Sequence, residues 1–150
     1  MLNSDGFHPG PPVSIGLPVF NGERYVAGAL SSLLAQDYTD FELVIGDNAS
    51  TDSTEEICRS VAAGDPRVRY LRSEVNQGAA WNYNRVFTAS TGRYFRWACH
   101  DDLVSPQHLR RCVEVLDATD PGVALAFTQT TLIDENGCPA EDYDEGFDAS

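Results

Sequence analysis

Short apolar runs alternate along the chain with segments in which apolar residues recur every three or four positions. A continuous apolar run is typical of a strand buried on both faces, as in a parallel sheet that helices cover. A spacing of three and four places residues on one face of a helix. The runs predict five strands, at residues 13–19, 41–48, 68–72, 93–99 and 123–133.

The segments between these runs predict four helices, each with one apolar stripe facing the sheet. The clearest stripe recurs at the helical interval and consists of Leu109, Cys112, Val113 and Leu116. The other three helices are predicted at residues 23–36, from about residue 54 to Gly64, and at residues 78–89.

Two pairs of residues indicate where helices begin. Ser105 followed by Pro106 is typical of an N-cap serine with proline at the first helical position. Ser53 and Glu56 have the spacing of a capping box, in which each side chain accepts a hydrogen bond from the other residue's backbone N–H. We therefore expect the fourth helix to start at Pro106 and the second to start just after Ser53.

The order of the elements predicts an α/β fold. Strands that alternate with helices of about a dozen residues indicate right-handed βαβ units and a mostly parallel sheet flanked by helices. In such sheets ligands collect at the carboxyl ends of the strands. The sequence places polar residues there in four segments, 18–23, 47–52, 76–78 and 100–102.

Acidic residues are concentrated towards the C-terminus, where ten of them follow Arg111 and no basic residue does. Such a run is usually a solvated face or tail. We expect residues 1–12 to form a flexible segment, residues 13–133 the folded domain, and residues 134–150 an acidic loop or tail. Metal binding by the acidic run is the alternative.

Charge and hydropathy narrow the range of partners. The formal net charge is −13 and all ten basic side chains are arginine, so nucleic acid is disfavoured, because it requires a basic face. No run approaches the ~20 apolar residues that cross a bilayer, and the N-terminus lacks the pattern of a secretory signal. We expect a cytoplasmic protein without a membrane span, and peripheral attachment to the inner face of the membrane stays open.

Several common site types are excluded by missing motifs. The first strand is followed by neither G-x-G-x-x-G nor a P-loop, which argues against dinucleotide enzymes and P-loop NTPases. A response-regulator receiver needs a lysine that this chain lacks. The four cysteines show no C-x-x-C spacing, so a zinc site and disulfides are both disfavoured.

Adjacent acids at Asp101 and Asp102 are the candidate metal ligands. Without a glycine-rich cradle, a bound diphosphate needs its charge neutralised by a divalent cation, and Mg²⁺ or Mn²⁺ takes carboxylates together with phosphate oxygens. The alternative is that the pair only opens a turn before the next helix. Asp47, at the end of the second strand, can accept a hydrogen bond from a pyrimidine N–H or can be a turn residue. Phe20 can stack on a base or belong to the core.

Two segments resemble family 2 glycosyltransferases. The first is VSIGLPVFNGERYVAGALSSLLAQDYTDFELVIGDNASTDST, and the second is RYFRWACHDDLVSPQHL, where the family has a DXD-type motif after its fourth strand. The resemblance spans residues 13 to about 133. It implies the nucleotide-sugar-binding part of a Rossmann-like GT-A fold, truncated after the half that contains the DXD motif.

The resemblance also implies roles for individual residues. It places Pro18, Phe20 and Glu23 in the nucleotide pocket and Asp47 on the base. It places Asp101 on the ribose or donor sugar and makes Asp102 the ligand of a Mn²⁺ or Mg²⁺ ion. Asn76 and Gly78 resemble the loop that closes over the nucleotide. His100 stands where many relatives have another acid, and its role stays open.

The reaction implied is metal-assisted transfer of a sugar, with inversion, from a nucleoside diphosphate to an acceptor hydroxyl, in cell-wall or polysaccharide biosynthesis. A uridine diphosphate donor is favoured and the acceptor is unspecified. The general base is expected beyond Ser150, because Glu141 and Asp142 lie too near the DXD segment. A nucleotide-sugar-binding module without turnover is the alternative. A sugar-1-phosphate nucleotidylyltransferase is disfavoured, since VFNGERY is not a glycine-rich basic loop.

Overall fold

The computed structural model describes residues 11–120, 122–134 and 136–143. The chain divides into two compact units, Met1–Gln107 and His108–Ser150. Residues 1–10 of the expected flexible segment and residues 144–150 of the expected acidic tail lie outside the described residues.

The first unit is built on a parallel sheet of four strands with helices between them. Its elements in chain order are β1 (Val13–Val19), α1 (Val26–Leu34), β2 (Phe41–Asp47), α2 (Thr54–Gly64), β3 (Val68–Arg72), α3 (Ala79–Ala89) and β4 (Tyr94–Trp97). The strand order is β3-β2-β1-β4, and all three neighbouring pairs are parallel. The predicted α/β class with a mostly parallel sheet is confirmed.

Strands β1 and β2 are buried along their whole length, which explains why their sequences read as continuous apolar runs. Helix α3 packs directly on both of them. Glycine permits this approach: a Cβ added at Gly16 would lie 2.8 Å from Val86 Cγ2, and one added at Gly46 would lie 2.6 Å from Val86 Cγ1. A larger residue at either position would push α3 away from the sheet.

A buried carboxylate joins three segments at the amino end of the sheet. Glu42 Oε1 accepts hydrogen bonds from Ser14 Oγ at 2.6 Å and from the Thr91 N–H at 2.6 Å, while Arg69 donates to Oε2 at 3.0 Å. Burial alone would raise the pKa of Glu42, but these hydrogen bonds hold it below its ordinary value. These hydrogen bonds fix the segment at Thr91, just before β4, to β1 and β2.

The second unit contains α4 (His108–Ala118) and a hairpin of β5 (Thr130–Ile133) and β6 (Pro139–Tyr143). The prediction of a strand over 123–133 is too long, and β5 pairs in an antiparallel sheet with β6 and not with the parallel sheet. Strand β6 lies in the segment expected to be a loop or tail. The turn explains the difference, because Asp134 Oδ1 accepts the N–H groups of Asn136 and Cys138 and Gly137 has φ +79°, a geometry that closes hairpins.

The predicted start of α4 needs correction, whereas α2 begins just after Ser53 as predicted but without the predicted capping box. Helix α4 begins at His108, after a turn at Pro106 and Gln107. Ser53 is the N-cap of α2 but its side chain makes no capping hydrogen bond. Asp52 replaces it, because its Oδ1 accepts the Thr54 N–H at 3.0 Å. Over the described residues, no helix has the length and apolarity that a membrane crossing requires.

Candidate functional site

A pocket of about 290 Å³ opens in the first unit where β1 and β2 end and α3 begins. Its volume is near the lower end of the roughly 300–1,000 Å³ common for small-molecule sites, so it suits one ring system and its substituents. The lining residues are Pro18, Val19, Phe20, Asn48, Asn76, Gly78, Ala79, Asn82, Tyr83 and His100. The pocket lies at the carboxyl ends of parallel strands, where the sequence predicted a ligand.

Four of the residues singled out from the sequence line this pocket: Pro18, Phe20, Asn76 and Gly78. Phe20 is 43% exposed, so its ring belongs to the site surface and not to the core, and a planar ligand can stack on it. Sequence reasoning missed Asn48, Asn82 and Tyr83 as lining residues. His100, whose role it left open, also lines the pocket.

Asn48 fixes the loop Asn76–Gly78 beside the pocket. Its Nδ2 donates to Asn76 Oδ1 at 2.8 Å and to the Gly78 carbonyl at 3.1 Å. Its Oδ1 accepts the Gln77 N–H at 3.0 Å. Gly78 has φ +87°, a conformation that favours glycine. The exposed loop is therefore shaped by one buried amide before any ligand binds.

Asp47 lies behind the pocket and is not among its lining residues. The side chain is fully buried, and its oxygens accept hydrogen bonds from the Ser50 N–H at 2.8 Å, from Tyr70 at 2.5 Å and from Arg72 at 2.6 Å. Burial would raise its pKa, but these partners hold the pKa of Asp47 below its ordinary value. These protein groups hold the Asp47 carboxylate behind the pocket, and its contact with a base stays a prediction.

Glu23 also has a partner within the protein. Its Oε2 accepts the Ser53 N–H at 2.9 Å, and its own N–H donates to Asp52 Oδ2 at 3.1 Å. The neighbouring Gly22 N–H donates to Thr54 Oγ1 at 2.8 Å. These bonds join the loop after β1 to the start of α2, so Glu23 supports one side of the site without lining the pocket.

The acidic pair Asp101 and Asp102 is exposed and follows His100 in the chain. Cys99 lies between the pair and the pocket in the sense that Asp102 and Tyr83 both influence the pKa of its thiol. Burial, and then the Asp102 charge, raise the pKa of the Cys99 thiol, so the thiol stays protonated at neutral pH. The carboxylates of Asp101 and Asp102 also help to raise the pKa of Tyr83, which places them within electrostatic reach of the pocket.

Asp47 and the acidic pair are at the same end of the sheet but on strands that are not neighbours. β1 lies between β2 and β4 in the strand order. Asp47 ends β2 and the acidic pair follows β4, so both lie towards the carboxyl ends of strands that β1 separates.

The acidic pair offers hard oxygen ligands without a complete cage. Within the described residues, no group of three or more histidine, cysteine, aspartate or glutamate side chains is arranged to hold a metal ion. Mg²⁺ usually takes one or two protein carboxylates and completes its shell with water and substrate phosphates. Two exposed carboxylates beside a pocket fit a cation that arrives together with a phosphorylated ligand.

Comparison with known proteins assigns the family. The profile of glycosyl transferase family 2 matches residues 14–141. An uncharacterized glycosyltransferase of Rickettsia bellii is 33% identical over 127 residues, which are 85% of this chain and 18% of that protein. TuaG of Bacillus subtilis, a glycosyltransferase assigned to teichuronic acid biosynthesis, is 29% identical over 89% of this chain and 52% of its own length. The chain therefore spans only part of these relatives.

A solved structure supports the same assignment. The mannosyltransferase PcManGT of Pyrobaculum calidifontis, in complex with GDP-Man and Mn²⁺, superposes with a TM-score of 0.68 and 27% identity. The match covers 76% of this chain and 34% of that one. This likeness and the parallel sheet confirm the expected Rossmann-like GT-A fold. The chain belongs to glycosyl transferase family 2.

Proposed function

We propose that the chain forms the donor-binding part of a glycosyltransferase that moves a sugar from a nucleoside diphosphate to an acceptor hydroxyl with inversion. One observation supports this most strongly: a pocket with an exposed aromatic ring and a shaped loop lies within electrostatic reach of two adjacent carboxylates. The aromatic ring and the loop can bind a base, and the two carboxylates can bind the metal ion of a metal-bound diphosphate.

The base occupies the pocket in this proposal. Phe20 supplies the stacking face, and Pro18 and the loop Asn76–Gly78 enclose it. Aromatic stacking on a base contributes about 1–3 kcal/mol in single-stranded nucleic acid complexes, so Phe20 is a substantial contributor. Uridine diphosphate sugars are the donors we favour. Guanosine diphosphate is the matched comparison, since PcManGT was solved with GDP-Man.

The diphosphate lies towards the acidic pair. Asp102 is the proposed ligand of Mn²⁺ or Mg²⁺, and Asp101 the proposed partner of the ribose or donor sugar. A bound divalent cation stabilises negative charge on the leaving diphosphate. The chain's own contribution is to hold the two carboxylates beside Tyr83 and Cys99, so that charge neutralisation occurs where the diphosphate leaves the pocket.

Titration of uridine and guanosine diphosphates, with Mn²⁺ and with EDTA, tests the proposal. A nucleotide at a hundred times its dissociation constant should stabilise the fold by about 2.7 kcal/mol, which a thermal shift detects. Asp102→Asn should lose most of the Mn²⁺ dependence, while Asp101→Asn should retain more of it. Equal affinity in Mn²⁺ and EDTA for the unaltered chain would contradict the metal assignment.

A donor-binding module without turnover is the alternative function. Release of free sugar or its transfer to an acceptor, measured with the same nucleotide sugars, separates the two. Binding without either reaction would favour the module.

A further inference from the structure

Three exposed aromatic side chains lie next to one another where α3 meets β4. Tyr83 and Phe87 of α3 are 38% and 53% exposed, and Trp97 at the end of β4 is 47% exposed. The Trp97 ring contacts both of the others, with centroid distances of 6.3 Å to Tyr83 and 6.0 Å to Phe87. We call these three rings the aromatic row. Single exposed apolar side chains are ordinary on a protein surface, whereas contiguous ones mark a binding surface.

The protein fixes the orientation of the aromatic row. The ring of Phe95 stands almost perpendicular to Phe87 and Trp97, at 84° and 83°, with centroid distances of 5.0 Å and 4.9 Å. This edge-to-face arrangement is favourable for aromatic rings. The Trp97 indole N–H also donates to the Tyr83 carbonyl oxygen at 3.2 Å. A ligand that stacks on the row therefore meets rings that are already ordered, which lowers the entropy cost of binding.

The geometry of the aromatic row suits a chain of sugar rings. The plane of Trp97 is inclined by 43° to that of Tyr83 and by 35° to that of Phe87, so the three rings have similar orientations. The apolar C–H face of a pyranose stacks on an aromatic ring, and the spacing of the centroids is close to the length of one pyranose unit in an extended glycan. Successive sugars of a glycan can therefore each contact one ring.

The aromatic row is continuous with the pocket, because Tyr83 is a member of the row and a lining residue of the pocket. A glycan on the row therefore has one end beside the donor. Charge favours a neutral glycan: the carboxylates of Asp101 and Asp102 are within electrostatic reach of Tyr83, and the chain has a formal net charge of −13. An anionic glycan would be repelled by this field.

We propose that the aromatic row binds a neutral glycan chain, with successive sugars on Phe87, Trp97 and Tyr83 and an acceptor hydroxyl directed towards the pocket. This inference rests on the proposed function, because it identifies the glycan as the acceptor of the transferred sugar. The row positions the acceptor and takes no part in bond formation. The substrate class that it implies is an oligosaccharide or polysaccharide and not a small alcohol.

Calorimetry with cellohexaose, mannohexaose and N-acetylchitohexaose, and with the disaccharide of each series, tests this proposal. At least one hexasaccharide should bind, and about tenfold more tightly than its own disaccharide, because each further ring of the row adds a stacking contact. Hexagalacturonate, an anionic glycan of the same length, should bind more weakly than that hexasaccharide.

Variants of the row locate the binding. Trp97→Ala should weaken the hexasaccharide about tenfold, the loss expected for one stacking ring, and Phe87→Ala should weaken it as well. Trp81→Ala is the matched control, since Trp81 is exposed on the same helix but lies outside the row, with the Arg85 guanidinium over its ring at 5.1 Å. This variant should bind the hexasaccharide as the unaltered chain does.

Binding of none of the three neutral hexasaccharides, or equal affinity in Trp97→Ala and the unaltered chain, would overturn the role of the aromatic row. A dimer of the unaltered chain in sedimentation that Trp97→Ala abolishes would also overturn it, because the row would then join two copies of the chain. If Trp97→Ala does not fold, Phe87→Ala takes its place, and the length dependence in the unaltered chain stands by itself. Uridine diphosphate binding in Mn²⁺, measured on the same samples, fails separately: its absence contradicts the proposed function, whereas glycan binding depends on the row.

Discussion

Two buried carboxylates lie at opposite ends of β2, Glu42 near its start and Asp47 at its last residue. Both have a lowered pKa, because hydrogen bonds outweigh the cost of burial. Their partners differ. Glu42 binds Ser14 and the segment that leads into β4, far along the strand from the pocket. Asp47 binds the loop and the strand that flank Asn48.

The difference shows how one kind of interaction serves two purposes. At the amino end, an ionised carboxylate joins strands and supports the scaffold. At the carboxyl end, the hydrogen-bonded carboxylate of Asp47 fixes the backbone next to Asn48, the residue that shapes the loop beside the pocket. A change at Glu42 should therefore alter stability alone, whereas a change at Asp47 should alter stability and nucleotide affinity together.

The largest effect is expected from Asp47→Ala. It leaves the Arg72 guanidinium and the Tyr70 hydroxyl without their carboxylate, and removing one partner of a buried ion pair costs about 3–5 kcal/mol. Arg72 also pairs with Glu55 at 3.1 Å, which should keep the loss towards the lower figure. Urea unfolding measures the free energy, and calorimetry should show weaker nucleotide binding. Unchanged stability would contradict the role assigned to Asp47.

Glu42→Gln should destabilise the fold by about 1–3 kcal/mol, the cost of weakening charged hydrogen bonds at a buried group. Nucleotide affinity, measured at a temperature where the variant is folded, should match that of the unaltered chain. An affinity loss as large as that of Asp47→Ala would remove the distinction between the two ends of β2.

Acid should weaken the fold through both carboxylates. Their folded-state pKa values are depressed, so the stability they contribute is present above the unfolded pKa of about 4 and is lost as pH falls through the folded pKa. The free energy of unfolding should fall as pH drops below about 5. The slope should be shallower in Glu42→Gln. The same slope in the variant and in the unaltered chain would mean that Glu42 does not contribute to it.

Asn48→Ala is expected to have the smallest effect on stability, about 1 kcal/mol, because the groups it releases lie in the exposed loop Asn76–Gly78. The substitution removes the amide whose Nδ2 donor holds that loop. Amide hydrogen exchange should accelerate in the loop. Asn84→Ala makes the same change at an exposed position and should leave exchange in the loop unaltered. Equal protection in both variants would mean that Asn48 does not hold the loop.

Sequence periodicity predicted the strands of the parallel sheet well, because burial on both faces makes Val13–Val19 and Phe41–Asp47 continuously apolar. It could not show which of two adjacent residues at a strand end reaches the pocket, since successive side chains point to opposite faces. Apolar periodicity therefore cannot separate Asp47 from Asn48 as the residue that faces a ligand. The β5–β6 hairpin was not predicted, because the feature that indicates it is the turn at Asp134 and the spacing of apolar residues does not reveal that turn.

One available signal would have identified Asn82. A polar residue four positions before Val86, within an apolar helix stripe, is out of place unless it has a partner. The sequence shows that spacing, but only the structure shows that Nδ2 is used by Gly46 and that Oδ1 is not. The packing of α3 on Gly16 and Gly46 brings together residues that are distant in the sequence, so local sequence patterns do not predict it.

The most direct measurement is an amide NMR titration of the chain with uridine diphosphate in the presence of Mg²⁺. We expect the shifts to concentrate at Phe20, at Asn48, in the loop Asn76–Gly78, at Asn82 and from His100 to Asp102, and the amino end of the sheet around Glu42 to remain unchanged. No shifts at saturating nucleotide, or shifts centred away from this pocket, would contradict the claim that the nucleotide binds there.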